Sequence, residues 1–191
     1  MGISKVKGEK RKAVFLDRDG VLNRAIVRGG KPFPPASPGE LEIPEDVAPA
    51  LQTLKDRGFL LIGVTNQPDV ARGEQTREIV ESIHESLMKE LPLDEILVCY
   101  HDDGDECECR KPKPGLLYQA ARRHGIDLAA SFMVGDRWKD VEAGQRAGCI
   151  TILLDRQYAE RQPERPPDYR VRFFSEAAAC VLRHPAKGEG C

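Results

Sequence analysis

The chain has 191 residues, a length typical of one domain, and 40% of them are hydrophobic while 31% are charged. Its 29 Lys and Arg residues against 31 Asp and Glu residues give a net charge of −2, which argues against binding to nucleic acid or to a membrane surface because both require a basic excess. The N-terminus is charged and lacks a signal sequence, and no apolar run is long enough to span a membrane, so the expected location is the cytoplasm.

Short apolar runs alternate with helical patterns along the chain. The runs predict strands at 13–16, 59–64, 96–99, 132–134, 150–154 and, more weakly, 170–174. Between them, apolar residues at helical spacing predict helices at 45–57, 74–90, 114–124, 138–147 and 175–183. The alternation predicts an α/β fold, a three-layer, Rossmann-like parallel sheet with helices on both faces.

The expected organisation is a single domain between two tails. Residues 1–12 are expected to form an N-terminal tail, 13–184 the domain and 185–191, which are polar and Gly-rich, a flexible C-terminal tail. Within the domain, five prolines between 24 and 44 predict a structured loop, because proline fixes φ and lacks a backbone donor.

Two carboxylates stand two residues apart at the end of the first predicted strand, where a parallel sheet binds ligands. They are Asp17 and Asp19, and Gly20 allows a sharp turn after them. One carboxylate can attack phosphorus and form an aspartyl-phosphate, while the other can protonate the leaving alcohol and later act as the base for water. Attack of one anion on another requires a divalent cation, and carboxylate oxygens suit Mg²⁺. The alternative for this pair alone is a solvated turn.

Polar residues also follow the later strands. Thr65 and Asn66 can bind a phosphate oxygen, although both residue types also favour helix caps and turns. Arg110 and Lys111 precede a helix and can bind phosphate and offset transition-state charge; the alternative is a solvated basic loop. Asp136 is a candidate Mg²⁺ ligand, or a helix N-cap if taken in isolation.

Four residues with metal-binding side chains lie within eleven positions. Cys99 and His101 form a Cys-x-His pair, and Cys107 and Cys109 follow as Cys-x-Cys after a gap of five residues. Three thiolates and one imidazole complete a tetrahedral Zn²⁺ site with no open position, which predicts a structural zinc. Its expected task is to hold the loop that carries the basic pair directly after it. The alternative is four unligated side chains in a loop.

Taken in order, the Asp-x-Asp-Gly, Thr-Asn, Lys-Pro and Gly-Asp segments resemble the four motifs of the haloacid dehalogenase (HAD) superfamily of phosphohydrolases. The resemblance implies Asp17 as nucleophile, Asp19 as general acid and base, and Thr65 and Lys111 as phosphate binders. It also implies Mg²⁺ held by Asp17, the backbone carbonyl of Asp19 and Asp136. Response-regulator receivers lack the acid at the second position, so this motif favours an enzyme over a signalling domain.

The Cys/His loop before Arg-Lys-Pro resembles a small HAD branch that has no large cap domain. That branch contains phosphatases of D-glycero-D-manno-heptose 1,7-bisphosphate and of histidinol phosphate. The absence of a fused dehydratase favours the heptose substrate. The short gap from His101 to Cys107 resembles the histidinol form more closely, and Arg137 stands where the heptose enzymes often have Lys. Another small phosphorylated metabolite is a further alternative, and a non-catalytic, zinc-stabilised interaction domain is a remote one.

The substrate is expected to be enclosed by loops because no cap is predicted. The Pro-rich stretch from 24 to 38 is the candidate, and Arg24, Arg28 and Lys31 can bind a second phosphate unless they are ordinary surface charges. The expected partner is therefore a small phosphorylated metabolite, a sugar bisphosphate in the favoured interpretation. We expect a monomer that binds neither nucleic acid nor membrane.

Overall fold

A computed structural model describes residues 10–185 of the chain. Most of the two predicted tails, 1–12 and 185–191, lies outside these residues. The described part contains the strands β1 (Ala13–Leu16), β2 (Ile26–Arg28), β3 (Lys31–Phe33), β4 (Leu60–Asn66), β5 (Glu95–Cys99), β6 (Phe132–Gly135), β7 (Ile150–Leu154) and β8 (Tyr169–Val171). Its α-helices are α1 (Val47–Asp56), α2 (Arg77–Glu90), α3 (Gly115–His124), α4 (Trp138–Ala147) and α5 (Phe174–Arg183).

Six strands form one parallel sheet in the order β5-β4-β1-β6-β7-β8. Strand β1 lies in the middle and pairs in parallel with β4 on one side and β6 on the other. The chain first builds the sheet outward from β1 to β5 and then returns to add β6 beside β1. The order therefore reverses at β1, and a ligand site is expected beyond its carboxyl end.

The sheet is covered on both faces, which confirms the predicted three-layer architecture. Alternate residues of a strand point to opposite faces. Val14 and Leu16 accordingly belong to a core shared with α1, α2 and α5, while Ala13 and Phe15 belong to a second core with α3. All four side chains of β1 are fully buried, which explains why the strand is a continuous apolar run rather than an alternating pattern.

Two predicted strands end two or three residues from their ends in the structure, and the helix predicted at 74–90 begins only at Arg77, because Thr76 is its N-cap and accepts from the backbone nitrogen of Ile79. Strand β4 extends through Thr65 and Asn66, which pair with Val98 and Cys99 of β5. Polar residues do not end a strand as long as the neighbouring strand continues to pair with it. The predicted strand at 170–174 ends at Val171 because the next two backbone N–H groups donate to the carboxylate of Glu176, at 2.9 and 3.1 Å, and begin α5.

The Pro-rich stretch contains a short antiparallel hairpin that the loop prediction missed. Strands β2 and β3 pair around Gly29 and Gly30, whose φ angles of +57° and +75° are in the left-handed region. Strands of three residues are too short to produce a recognisable period. Within residues 10–185 there is no large cap domain, and no helix is both long and apolar enough to cross a membrane.

Candidate active site

A cleft of about 270 Å³ opens at the carboxyl ends of β1 and β4. It is lined by the hairpin on one side and by all six residues predicted for catalysis or phosphate binding, which are Asp17, Asp19, Thr65, Asn66, Arg110 and Lys111. The fold thus brings together groups that are up to 94 positions apart in sequence. Asp136, the predicted metal ligand after β6, has its carboxylate next to that of Asp17.

Lys111 forms the centre of the cleft floor. Its side chain is 2% exposed, and its Nζ lies 2.7 Å from Asp17 Oδ1, 2.6 Å from Asp140 Oδ1 and 2.7 Å from the backbone oxygen of Val64. Burial alone would lower the pKa of Lys111, but the carboxylates of Asp140 and Asp17 raise it overall. The ammonium is therefore charged, fixed by three acceptors, and positioned to offset negative charge on a phosphoryl group.

Three buried carboxylates meet beside this ammonium. The carboxylate oxygens of Asp17, Asp136 and Asp140 lie within 4.8 Å of one another. Both oxygens of Asp136 are buried without a hydrogen-bond partner among residues 10–185, and burial, together with the charges of Asp17 and Asp140, raises its pKa well above the usual range. Burial and then Asp140 raise the pKa of Asp17 to about 6. One ammonium cannot neutralise three carboxylates, so this oxygen set fits a hard divalent cation such as Mg²⁺.

Two glycines make the close approach of these carboxylates possible. A Cβ atom on Gly20 would lie 1.7 Å from Oδ2 of Asp136, and the φ angle of Gly20 is +88°. A Cβ atom on Gly135 would lie 2.0 Å from the Cβ of Asp140. Any side chain at either position would push a carboxylate out of the cluster.

Asp19 is held as an ionised carboxylate. Arg18 donates to it from Nε at 3.1 Å and from Nη2 at 2.9 Å, and the side-chain amides of Asn23 and Gln67 donate at 3.1 and 2.9 Å. Burial would raise the pKa of Asp19, but Arg18 and these amide donors lower it overall. In this conformation the four donors fix the orientation of the carboxylate and stabilise its charged form.

Thr65 and Asn66 have different surroundings. The hydroxyl of Thr65 is buried and accepts a 2.9 Å hydrogen bond from Gln67. The side chain of Asn66 donates to the backbone oxygen of Lys111 and accepts from its backbone nitrogen, both at 3.0 Å. Asn66 thus fixes the backbone of the loop that carries Lys111, and its predicted contact with phosphate stays a prediction.

Comparisons with known proteins agree with this arrangement. A family model described as HAD-hydrolase-like matches residues 108–177. A D-glycero-beta-D-manno-heptose-1,7-bisphosphate 7-phosphatase of Helicobacter pylori strain J99 is 39% identical over 158 residues, covering 80% of this chain and 87% of that protein. A D-glycero-alpha-D-manno-heptose-1,7-bisphosphate 7-phosphatase of Photorhabdus laumondii is 34% identical over 157 residues, covering 76% and 82%.

A solved structure has the same fold as this chain. It is a D,D-heptose 1,7-bisphosphate phosphatase from B. bronchiseptica, complexed with magnesium and phosphate, which superposes with a TM-score of 0.76 and 29% identity over 91% of this chain and 99% of that one. The chain belongs to the HAD-like phosphatase family. It is a phosphoric monoester hydrolase, and the resemblance that its motifs indicated is confirmed.

A second group of this HAD-like phosphatase can hold a metal ion. The side chains of Cys99, His101, Cys107 and Cys109 converge, with their ligand atoms within 4.8 Å of one another and their thiol sulfurs 3.2 to 3.6 Å apart. Arg110 follows at once; its Nη1 donates to the backbone oxygen of His101 at 3.2 Å. The Cys/His group therefore supports the side chain of Arg110 directly.

Cations surround the mouth of the phosphatase cleft, and most of them are paired. Arg110 donates to Asp103 at 2.7 Å, and Arg137 pairs with Glu160. Lys31 lines the cleft from the hairpin and forms no ion pair with the residues that the structure describes. Of the three basic residues considered for a second phosphate, Lys31 alone lines this cleft. Arg24 pairs with Glu42, and Arg28 stacks over the ring of Phe33.

Four residues, Asp140, Gln67, Arg18 and His84, were not among the site residues predicted from the sequence. Asp140 is one helical turn after Asp136, a spacing that places both carboxylates on one side of the helix start and could have indicated the pair. Gln67 continues the polar run after β4, which gave a weaker signal. The contact between Arg18 and His84, 66 positions apart, has no sequence signal of its own.

Proposed function

We propose that this phosphatase removes the 7-phosphate of D-glycero-D-manno-heptose 1,7-bisphosphate through an aspartyl-phosphate on Asp17. The observation that carries the chemistry is the cleft floor, where the Asp17 carboxylate lies 2.7 Å from the Lys111 ammonium. The names of the relatives support the substrate, since the H. pylori and P. laumondii proteins are both heptose bisphosphate 7-phosphatases. We also propose that the protein acts as a monomer and that its partner is a small sugar phosphate.

The proposed reaction has two halves. Lys111 and Thr65 bind the phosphoryl group, Asp17 attacks the phosphorus, and the bond from phosphorus to the ester oxygen breaks. Asp19, protonated in the substrate complex, gives its proton to the leaving alkoxide. Asp19 then takes a proton from water, which attacks the phosphorus and releases inorganic phosphate, restoring the Asp17 carboxylate. A Mg²⁺ ion held by Asp17, Asp136 and the backbone carbonyl of Asp19 would supply positive charge against the repulsion between nucleophile and phosphate.

The substrate assignment predicts a preference that kinetics can measure. With Mg²⁺ present, we expect kcat/KM for heptose 1,7-bisphosphate to exceed that for histidinol phosphate by about 100-fold, since one extra phosphate can pair with the cations at the cleft mouth. Both anomers must be assayed because the relatives include an alpha and a beta enzyme. A preference for histidinol phosphate would contradict the heptose assignment and leave the phosphatase chemistry unchanged.

Histidinol phosphate is the second candidate because of the short Cys/His loop. The five residues between His101 and Cys107 form only a single 3₁₀ turn at Asp103–Asp105. That turn carries the carboxylate that pairs with Arg110. This residue, Asp103, lines the cleft, and its carboxylate would favour a substrate that carries an amine over one that carries a second phosphate.

We further propose that the Cys/His group binds structural zinc. All four donors are directed at one another, and the site has no open position for chemistry. Protein purified without added zinc is expected to contain about one equivalent of the metal. Cys109→Ser should lose it, whereas Cys180→Ser, outside the group, should retain it. Folded wild-type protein with less than about a tenth of an equivalent would rule out the zinc site.

A further inference from the structure

Beside the cleft lies a completely buried guanidinium that the proposed reaction does not use. Arg18 is 1% exposed and stands between the two aspartates of the first motif. One edge of its guanidinium binds the Asp19 carboxylate, and Nη1 on the other edge lies 3.2 Å from Nε2 of His84. A charge this deep in a protein needs partners on every side, so both contacts determine where Arg18 points.

His84 is a hydrogen-bond acceptor toward Arg18. It is 5% exposed on α2, and burial, with a further contribution from Arg18, lowers its pKa to about 4. A neutral imidazole has one donor and one acceptor nitrogen. Nδ1 faces the carboxylate of Glu81 at 3.4 Å and is therefore assigned the proton, which leaves the Nε2 lone pair for the N–H of Arg18.

The contacts continue from His84 to the Cys/His loop. Glu81 also accepts a hydrogen bond from the hydroxyl of Tyr100. Tyr100 lies between Cys99 and His101, so the segment that presents two of the metal-binding side chains also contacts Glu81 through its tyrosine hydroxyl. An unbroken series of polar contacts thus runs from that loop through α2 to the carboxylate at the cleft.

We propose that His84 is a positioning residue for the phosphatase reaction: it fixes Arg18, and Arg18 orients Asp19 toward the oxygen of the leaving group. The inference rests on the proposed function of Asp19 as proton donor. His84 does not line the cleft, so it acts only through Arg18. Without the acceptor at Nε2, the guanidinium is free to turn, and Asp19 loses its fixed orientation.

A comparison of two substrates with different leaving groups distinguishes a positioning role of His84 from a general effect on folding. Nitrophenolate departs without a proton, whereas a sugar alkoxide needs one, and kcat/KM reports only the steps up to phosphoryl transfer. His84→Leu is expected to lower kcat/KM for heptose 1,7-bisphosphate about tenfold and that for p-nitrophenyl phosphate less than about twofold. His84→Gln, whose amide oxygen can accept from Arg18, should recover most of the loss.

Two reference variants complete the experiment. His124→Leu removes a histidine that pairs with Glu95 away from the cleft and should leave both rates unchanged. Asp19→Asn should show the same leaving-group dependence as His84→Leu, only larger; if it does not, the proposed role of Asp19 fails independently of His84. If heptose bisphosphate is not hydrolysed, histidinol phosphate serves as the alkyl ester. An equal loss on both substrates, or no loss on either, in His84→Leu would overturn the positioning role.

Discussion

Asp17→Asn is expected to lower kcat by about 10⁴-fold or more, because the amide cannot form the covalent intermediate that divides the reaction into two steps. The side chain lies on the cleft floor against Lys111, where a substrate phosphoryl group has direct access to it. Release of inorganic phosphate, measured with Mg²⁺ and saturating substrate, tests the prediction. Mg²⁺-dependent turnover that survives the substitution would refute Asp17 as the nucleophile.

The loss is expected without unfolding. Burial raises the pKa of Asp17 to about 6. The surroundings of this side chain therefore do not favour its charged form. Asn has nearly the same shape, and Lys111 keeps Asp140 as a partner at 2.6 Å. Asp155→Asn is the matched control: Asp155 pairs with Arg170 outside the cleft, and its replacement should leave kcat unchanged.

Lys111→Met is the second substitution with a large expected effect, and it acts on both stability and rate. It leaves Asp17 and Asp140 buried beside each other without their cation, which predicts a loss of about 3–5 kcal/mol in the free energy of unfolding. It also removes the charge that faces the phosphoryl group, which predicts a fall in kcat of about 10²–10³-fold. Denaturant unfolding without added Mg²⁺ and steady-state kinetics with it measure the two effects separately.

A neighbouring lysine provides the control for this substitution. Lys113 is two residues away and pairs at 3.0 Å with Glu108, but its side chain is 40% exposed. An exposed ion pair contributes little, so Lys113→Met should change the free energy of unfolding by less than about 1 kcal/mol. An unchanged unfolding midpoint in Lys111→Met would mean that the ammonium does not compensate the two carboxylates.

The sequence pattern predicted the sheet and most of the site because both follow from the burial of apolar strands in a parallel sheet. Apolar runs such as 13–16 and 150–154 can be buried on both faces only in a covered parallel sheet, and such a sheet brings the residues after its strands to one edge. Asp17, Lys111 and Asp136 therefore meet although the chain separates them widely. The residue types and the order of the strands were therefore sufficient to predict that these three side chains lie together.

The remaining features depend on side-chain packing that no local pattern carries. Asp140 reaches Lys111 only because Gly135 has no Cβ to obstruct it. The buried contact of Arg18 with His84 requires a specific placement of α2 against β1, which amphipathic spacing does not define. The extension of β4 through Asn66 depends on the length of its neighbour β5 rather than on its own composition.

In the proposed mechanism Asp17 becomes phosphorylated during turnover, and chemical trapping tests this step most directly. Enzyme quenched while hydrolysing substrate with Mg²⁺ would be treated with borohydride, which reduces an acyl phosphate to the alcohol, and then digested for peptide mass spectrometry. We predict homoserine at position 17 in the turnover sample and unmodified Asp17 in a sample without substrate. Fully active enzyme in which Asp17 is never converted would contradict the aspartyl-phosphate mechanism.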